Sequence, residues 1–202
     1  MRITVVGAGA VGRALMNRLA DAHDVTLGAR DPAGGSAAAA AAELGGRVRV
    51  AALDEALAEA DAAIVAIPGG QVPSFIAGSG GRLDGRLVID ATNDRTPSGA
   101  LHHVPDWQRQ APGAVVARAF CTLGWENVGE PVYDGVPATM FWCGPDGEAG
   151  ETVAAIIRDT GLDPVRIGGL EAADTLDGVT RLWFQLAFTQ ALGRRIGFRL
   201  LR

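Results

Sequence analysis

The first 30 residues constrain the fold of this chain more than any other stretch. Ile3–Val6 is a short run of β-branched, mostly apolar residues, which predicts a buried strand. A glycine motif, G-x-G-x-x-G, follows it directly, and the apolar spacing over Val11–Leu19 predicts a helix. A second strand is predicted over Asp24–Leu27. Strand, glycine turn, helix and strand in this order are typical of a dinucleotide-binding unit.

Each glycine of the motif has its own physical role in such a unit. One allows the tight turn, one lets the backbone approach a pyrophosphate, and one permits close packing of helix on strand. The pyrophosphate would lie on the free N–H groups at the helix N-terminus. The alternative is a glycine-rich turn that only packs. The predicted cofactor-binding residues here are Gly7, Ala8, Gly9, Ala10, Val11 and Gly12.

The end of the second strand indicates which dinucleotide is preferred. Folds that prefer NAD usually place a carboxylate there for the ribose 2′-OH, whereas this chain has Ala29 and Arg30, with no acid before Asp31. A guanidinium suits a 2′-phosphate, which it can bind with two hydrogen bonds. NADP(H) is therefore the predicted cofactor. The alternative is a solvated surface arginine, because all 18 basic residues of this chain are arginines.

The rest of the chain continues the alternation of strands and helices, which predicts an α/β, Rossmann-type, doubly wound and mostly parallel sheet. Ser36 is predicted to cap a helix through the alanine run. Two segments, Ala91–Pro112 and Cys121–Pro137, are predicted to be irregular, and Leu170–Leu192 a single closing helix. The predicted organisation is an NADP-binding domain over residues 1–168 and a small helical cap over residues 169–202.

Composition limits the classes of function. The net charge of −5 and the pI near 5.2 argue against a nucleic-acid surface. The two cysteines lack a metal-binding spacing and provide no disulfide framework, so no metal site is expected. No apolar run reaches the ~18 residues of a membrane span, and no secretory signal is evident. We expect a soluble, cytoplasmic protein without a membrane partner.

Ligands of such sheets bind beyond the carboxyl ends of the strands, which directs attention to three segments. The segment Ile67–Gly70 can pass close to a cofactor, or it can simply end a strand. Asp90–Asn93 places polar groups near a nicotinamide ribose, although Asp90 could equally cap a loop. Ala119–Thr122 would flank the nicotinamide ring. The predicted cofactor contacts in these segments are Ile67, Pro68, Gly69, Asn93 and Ala119.

Candidates for acceptor binding or catalysis are few. Phe120, Cys121, Thr122 and Trp125 are the candidates for the nicotinamide and acceptor pocket, and no residue is assigned a certain catalytic role. Cys121 is predicted to pack and not to react, because no base lies near it in sequence. Trp125 is the best placed of four tryptophans to stack on a flat ring. His102 or His103 could donate a proton, but exposed loop histidines without a role are commoner.

Taken together, these residues resemble the NADPH-dependent F420 reductase family, enzymes that pass hydride between NADP and a deazaflavin coenzyme. The matching stretches are Gly7–Gly12, Leu27–Arg30 where the family has Gly-Ser-Arg, Ile67–Pro68, Asp90–Asn93, Ala119–Phe120 with Thr122, Cys143–Gly144 before Asp146, and Ile196–Phe198. The resemblance implies that Ala29 and Arg30 read the 2′-phosphate. It also implies that the strand ends hold the nicotinamide and that F420 is the co-substrate.

Three departures from the family pattern concern the phosphate site and the acceptor. Ala29 replaces a hydroxyl residue, Gly34 stands where a second basic residue often occurs, and Cys121 stands where relatives usually have Asn or His. The predicted function is hydride transfer between NADP(H) and a flat conjugated acceptor, most plausibly F420. The alternatives are an imine or pyrroline-carboxylate reductase and a non-catalytic NADPH sensor. The C-terminal helix is apolar enough to serve as a cap or as the contact of a homodimer.

Overall fold

The computed structural model describes residues 1–94 and 99–201. Its centre is a six-stranded parallel sheet in the order β3-β2-β1-β4-β5-β6. The strands are β1 (Arg2–Val6), β2 (Asp24–Ala29), β3 (Arg49–Ala52), β4 (Ala62–Val65), β5 (Leu87–Asp90) and β6 (Val115–Arg118). The order reverses between β1 and β4, as in a doubly wound sheet. The predicted fold class is confirmed.

Helices cover both faces of this sheet. They are α1 (Ala10–Leu19), α2 (Gly35–Glu43), α3 (Leu53–Glu59), α4 (Val72–Ser79) and α5 (Val104–Gln110). The inner face of α1 buries Gly12, Leu15, Met16 and Leu19 against the sheet. α2 forms from the alanine run because alanine has the highest helix propensity. Its N-cap is Gly34 and not the predicted Ser36, which lies in the first turn.

The remainder of the chain adds a smaller α/β layer. It comprises α6 (Trp125–Gly129), a hairpin of β7 (Val132–Tyr133) and β8 (Val136–Pro137), β9 (Thr139–Trp142), α7 (Gly147–Asp159), β10 (Asp163–Arg166) and α8 (Ala173–Phe184). β9 and β10 pair in parallel. A β-bridge between Arg118 and Cys143 joins this pair to the end of β6. The division of the chain after residue 168 stays a prediction.

The structure corrects three predicted segments. The stretch Ala91–Pro112 contains α5, in which a proline occupies the first turn, where its missing N–H costs no hydrogen bond. The stretch Cys121–Pro137 contains α6 and the hairpin. The predicted helix Leu170–Leu192 is instead a 3₁₀ turn, α8 and a π-helical turn over Gln185–Thr189. Within the described ranges, no helix has the length and apolarity needed to cross a bilayer.

Candidate functional site

A long cleft of about 1230 Å³ runs along the carboxyl ends of β1, β2 and β4, and we call it the main cleft. Its floor is the turn between β1 and α1, and its walls are the first turns of α2 and α3 and one side of α4. Of the predicted cofactor residues, the main cleft is lined by Gly7, Ala8, Gly9, Ala29, Arg30, Ile67 and Pro68. The location is where ligands of doubly wound sheets bind.

The three motif glycines differ in what surrounds them. A Cβ on Gly7 would lie 2.3 Å from the carbonyl oxygen of Ala66, and the backbone of Gly7 has a φ of +122°. A Cβ on Gly12 would lie 2.0 Å from the carbonyl oxygen of Gly7. A Cβ on Gly9 would meet no atom within 4 Å. Packing therefore explains two of the glycines, whereas at Gly9 the missing side chain leaves room in the main cleft.

The backbone around Gly9 is suited to an anion. Gly9 is the N-cap of α1, no side chain caps that helix, and its first turn contains no acidic residue. The first N–H groups of α1 therefore remain available, and the helix dipole adds partial positive charge at the same place. This edge of the cleft provides the electrostatics that a pyrophosphate requires.

Arg30 lies at the end of β2 with its guanidinium unengaged. Of the arginines in the described ranges, only Arg30 and Arg158 have side chains that form no hydrogen bond, ion pair or ring contact. Arg158 is on α7, away from the main cleft, whereas Arg30 lines it. An unpaired cation at this edge of the cleft is available to an anionic ligand.

The start of α2 provides a hydroxyl that sequence reasoning missed. Ser36 lines the main cleft beside Arg30 and Gly34. Asp31 lies in the same loop, where its side chain accepts a hydrogen bond from the N–H of Ala33. The hydroxyl that the family pattern has at position 29 is absent, and Ser36 offers another on the same wall.

Six other predicted cofactor residues do not line the main cleft. Ala10 lines a second cavity, described below, and Val11 and Gly12 lie within α1. A Cβ on Gly69 would lie 2.5 Å from the Cα of Asp94, so this glycine allows the loops after β4 and β5 to pack together. Ala119 is fully buried. Asn93, the last of the six, has both ends of its side-chain amide engaged by other parts of the protein.

Asn93 belongs to a buried polar network around Arg118. The Arg118 guanidinium donates to the carbonyl oxygen of Thr92 at 2.7 Å, to Oδ1 of Asn93 at 2.9 Å and to Oδ1 of Asp177 at 2.9 Å. Asn93 in turn donates through Nδ2 to the carbonyl oxygen of Cys121 at 2.9 Å. The network joins the ends of β5 and β6 to α8, and neither Arg118 nor Asp177 is evident as a site residue in the sequence.

Asp90 caps the loop after β5, which was the structural alternative for this residue. Its Oδ1 accepts hydrogen bonds from the N–H and the hydroxyl of Thr92, and its Oδ2 accepts one from the indole of Trp107 at 2.9 Å. The carboxylate is buried. Its hydrogen bonds compensate for the loss of contact with water, as is usual for buried charged groups. Asp90 thus holds the turn after β5 and the core side of α5.

The acceptor candidates divide into buried and exposed residues. Phe120, Cys121 and Thr122 are buried, and Phe120 has a φ of 61°, an unusual backbone conformation for a residue other than glycine. Trp125 begins α6 and is 41% exposed. Trp125 lines a second cavity of about 580 Å³ together with Ala8, Gly9, Ala10 and Arg13. Of these four acceptor candidates, Trp125 alone has an exposed aromatic side chain.

Both cysteine thiols are held in the protonated form by burial. Burial raises the pKa of the Cys121 thiol, and the nearby Arg118 guanidinium offsets this only in part. Burial also raises the pKa of Cys143 to about 12. A thiolate nucleophile is therefore disfavoured at either position. The prediction that Cys121 packs and does not react agrees with these shifts.

The two loop histidines have structural contacts. His102 accepts a hydrogen bond at Nδ1 from the N–H of Val104, and its Nε2 lies 3.2 Å from a carboxylate oxygen of Asp174. His103 is buried, with Nδ1 3.3 Å from Asp106. The expectation of an exposed histidine is wrong for His103, which is buried at the N-cap of α5 beside Asp106. Neither ring lines the main cleft.

Comparison with known proteins agrees with this geometry. Residues 2–94 match the family model described as NADP oxidoreductase, coenzyme F420-dependent. This part of the chain is similar to that family. The matched residues include the glycine motif, Arg30 and the segment that ends at Asn93, so the chain is an NADP-dependent oxidoreductase, as the sequence predicted. The motifs after residue 94 lie outside the match.

Solved structures are similar to this chain over most of its length. A candidate F420-dependent NADP reductase from Arthrobacter sp. FB24 is 24% identical with a TM-score of 0.83, and the alignment covers 99% of each chain. A hypothetical protein from Sinorhizobium meliloti is 27% identical with a TM-score of 0.72, over 86% of this chain and 88% of that one. An imine reductase from Streptomyces aurantiacus is 23% identical with a TM-score of 0.69, over 95% of this chain and 65% of that longer one. At these identities, the first and third of these matches establish the fold alone.

Proposed function

We propose that the main cleft binds NADP(H) with the pyrophosphate on the turn before α1. The observation that carries this proposal is the space at Gly9, which no atom of the described residues fills. The uncapped N-terminus of α1 supplies the N–H donors there. The family match supports the choice of an NADP cofactor.

The 2′-phosphate would lie between Arg30 and Ser36. The Arg30 guanidinium is unengaged and Ser36 offers a hydroxyl on the same wall of the cleft. The N–H groups at the start of α2 face the same region, and that helix has no acidic residue in its first turn. Together these groups would compensate for the lost hydroxyl at Ala29 and for the neutral Gly34.

The reaction we propose is hydride transfer between NADP(H) and the deazaflavin F420. The nicotinamide supplies or receives the hydride when it is bound. The chain contributes by holding two flat rings face to face, because positioning of the reacting carbons about 3–3.5 Å apart supplies much of the rate. No thiolate is required, which agrees with the raised pKa values of Cys121 and Cys143.

Trp125 is the residue that we propose for stacking on the acceptor. Trp125 is exposed and lines the second cavity together with Gly9 and Ala10, which belong to the proposed pyrophosphate turn. Phe120, Cys121 and Thr122 are too buried for direct stacking, so their contribution would be to shape the end of β6. Aromatic stacking on a flat conjugated ring contributes about 1–3 kcal/mol.

The experiment that tests the function compares acceptors at a saturating concentration of NADPH. Oxidised F420, a cyclic imine and pyrroline-5-carboxylate are offered in parallel, and the oxidation of NADPH is followed in each case. We expect the largest kcat/KM with F420. A higher value with an imine would favour the reductase class that shares the fold. Tight binding of NADPH without turnover of any acceptor would favour a sensor.

A further inference from the structure

Arg118 is charged and fully buried, yet it touches neither the main cleft nor bulk solvent. Removal of a guanidinium from water is costly, and its Nε has no hydrogen-bond partner among the residues that the structure describes. A buried ion pair often gives no more stability than apolar residues of the same volume. Stability alone therefore explains poorly why an arginine occupies the end of β6.

The hydrogen bonds of Arg118 converge on one edge of the sheet. Its Nη1 holds the carbonyl oxygen of Thr92, and its Nη2 holds the side chain of Asn93. Asn93 extends the chain of bonds to the backbone of Cys121, beyond the end of β6. The ends of β5 and β6 are thus tied to each other by side chains, beyond the last pair of the sheet register.

Asp177 connects this edge to α8. Its Oδ1 accepts from Arg118 at 2.9 Å, and its Oδ2 accepts from the N–H of Leu101 at 2.6 Å. Asp177 is as buried as Arg118, so the pair is shielded from solvent and fixed in one geometry. The close contact of Gly69 with the backbone of Asp94 brings the loop after β4 against the same edge. Three strand ends and one helix are held together.

We propose that Arg118 is a positioning residue that, with Asp177 and Asn93, fixes the ends of β5 and β6 to receive the nicotinamide half of NADP(H). The inference rests on the proposed function, because it requires the cofactor in the main cleft. It goes further, because it proposes that a charge pair without ligand contact keeps the ends of β5 and β6 in place. The adenosine half, which is assigned to the β2 and α2 side, is independent of the pair.

The test uses two ligands that differ in the nicotinamide half. NADPH spans both halves of the site, whereas 2′,5′-ADP has only the adenosine and 2′-phosphate half. Both dissociation constants are measured for the wild type and for the double variant Arg118→Met, Asp177→Leu, which replaces the ion pair with apolar side chains of similar size. The matched control is Arg166→Met, since Arg166 also holds backbone carbonyl oxygens, those of Gly144 and Pro145.

In the double variant, we expect the affinity for 2′,5′-ADP to stay within about twofold of the wild-type value. The affinity for NADPH is expected to fall about tenfold. In this variant, at least one residue at the ends of β5 and β6 would lose conformational freedom when NADPH binds. The change in nicotinamide fluorescence on binding is expected to decrease as well. The Arg166→Met control is expected to retain the wild-type ratio of the two affinities.

If the ratio of the affinities for NADPH and 2′,5′-ADP is unchanged in the double variant, including by an equal loss for both ligands, the positioning role is overturned. If the double variant does not fold, Asn93→Ala decides, because it breaks the link to Cys121 and keeps the Arg118–Asp177 pair. An unchanged ratio in that variant would also overturn the inference. A wild-type protein that binds neither ligand would refute the NADP site itself, and the positioning role with it.

Discussion

Substitution of Gly9 by valine separates the binding role of the glycine motif from its packing role. No atom lies within 4 Å of a Cβ at this position, and the backbone conformation (φ −76°, ψ −178°) is open to any residue. We expect the free energy of unfolding to change by less than about 1 kcal/mol, which is the size of an N-cap effect. The valine side chain would instead occupy the space that we assign to the pyrophosphate.

The predicted loss of affinity follows from the contacts displaced. A pyrophosphate at the N-terminus of α1 would accept charge-assisted hydrogen bonds of about 1.5–3 kcal/mol each. Loss of two of them costs at least about 3 kcal/mol, which is roughly 100-fold or more in the dissociation constant. Calorimetric titration of NADPH, together with thermal unfolding of the same sample, measures both quantities.

Gly12→Ala is the matched control within the motif. Its Cβ would lie 2.0 Å from the carbonyl oxygen of Gly7, so the backbone must shift and overpacking should cost about 1–3 kcal/mol or more of stability. The two glycines are therefore expected to give opposite outcomes, with binding lost at Gly9 and stability lost at Gly12. A stable Gly9→Val variant that binds NADPH like the wild type would refute the assignment of the cleft.

Two further predictions concern the ends of the proposed ligands. Arg30→Ala should weaken the affinity for NADPH by about 10- to 100-fold and leave that for NADH unaffected, because one charge-assisted contact to the 2′-phosphate is lost. Arg158→Ala, which removes the other unengaged arginine side chain, should change neither affinity. Equal wild-type affinities for NADPH and NADH would contradict the reasoning. Trp125→Ala should raise the KM for F420 and spare the affinity for NADPH, whereas Cys121→Ser should keep turnover within about tenfold, since the buried thiol forms no covalent intermediate. Complete loss of turnover in Cys121→Ser, measured by steady-state kinetics, would instead indicate thiol chemistry.

The part of the site that the sequence predicts well is the part determined by local chain geometry. The turn from β1 to α1 requires its glycines within six residues, and the strand after α1 ends at Ala29, directly before Arg30. Each element is marked by its own periodicity and its own turn residues. The alternation of these elements along the chain then predicts the doubly wound, mostly parallel sheet.

The part that sequence reasoning missed depends on contacts between distant residues. Arg118 meets Asp177, which is 59 positions later, and no local pattern marks either as a pair. Asn93 was predicted to contact the cofactor, but its amide is shared between Arg118 and the backbone of Cys121. Sequence reveals the residue types at a strand end, whereas their partners depend on which helix the fold brings against that end.

The closing helix shows a different limit of periodicity. The apolar spacing over Leu170–Leu192 suits one helix, yet the backbone leaves the α-helical path after Phe184 and turns sharply near Ala191, where φ is 54°. The turn lets the following segment return to the core, where the carbonyl oxygen of Ile196 accepts a hydrogen bond from the indole of Trp183. Leu182, an apolar residue of α8, is exposed.

Direct hydride transfer is tested most sharply by following an isotope from NADPH to the acceptor. NADPH carrying deuterium at the transferred position of the nicotinamide is mixed anaerobically with oxidised F420 and the wild-type protein. We predict that both absorbances fall together and that the deuterium appears on a carbon of the reduced deazaflavin. Oxidation of NADPH without label in the deazaflavin, or no reaction between the two, would contradict the account.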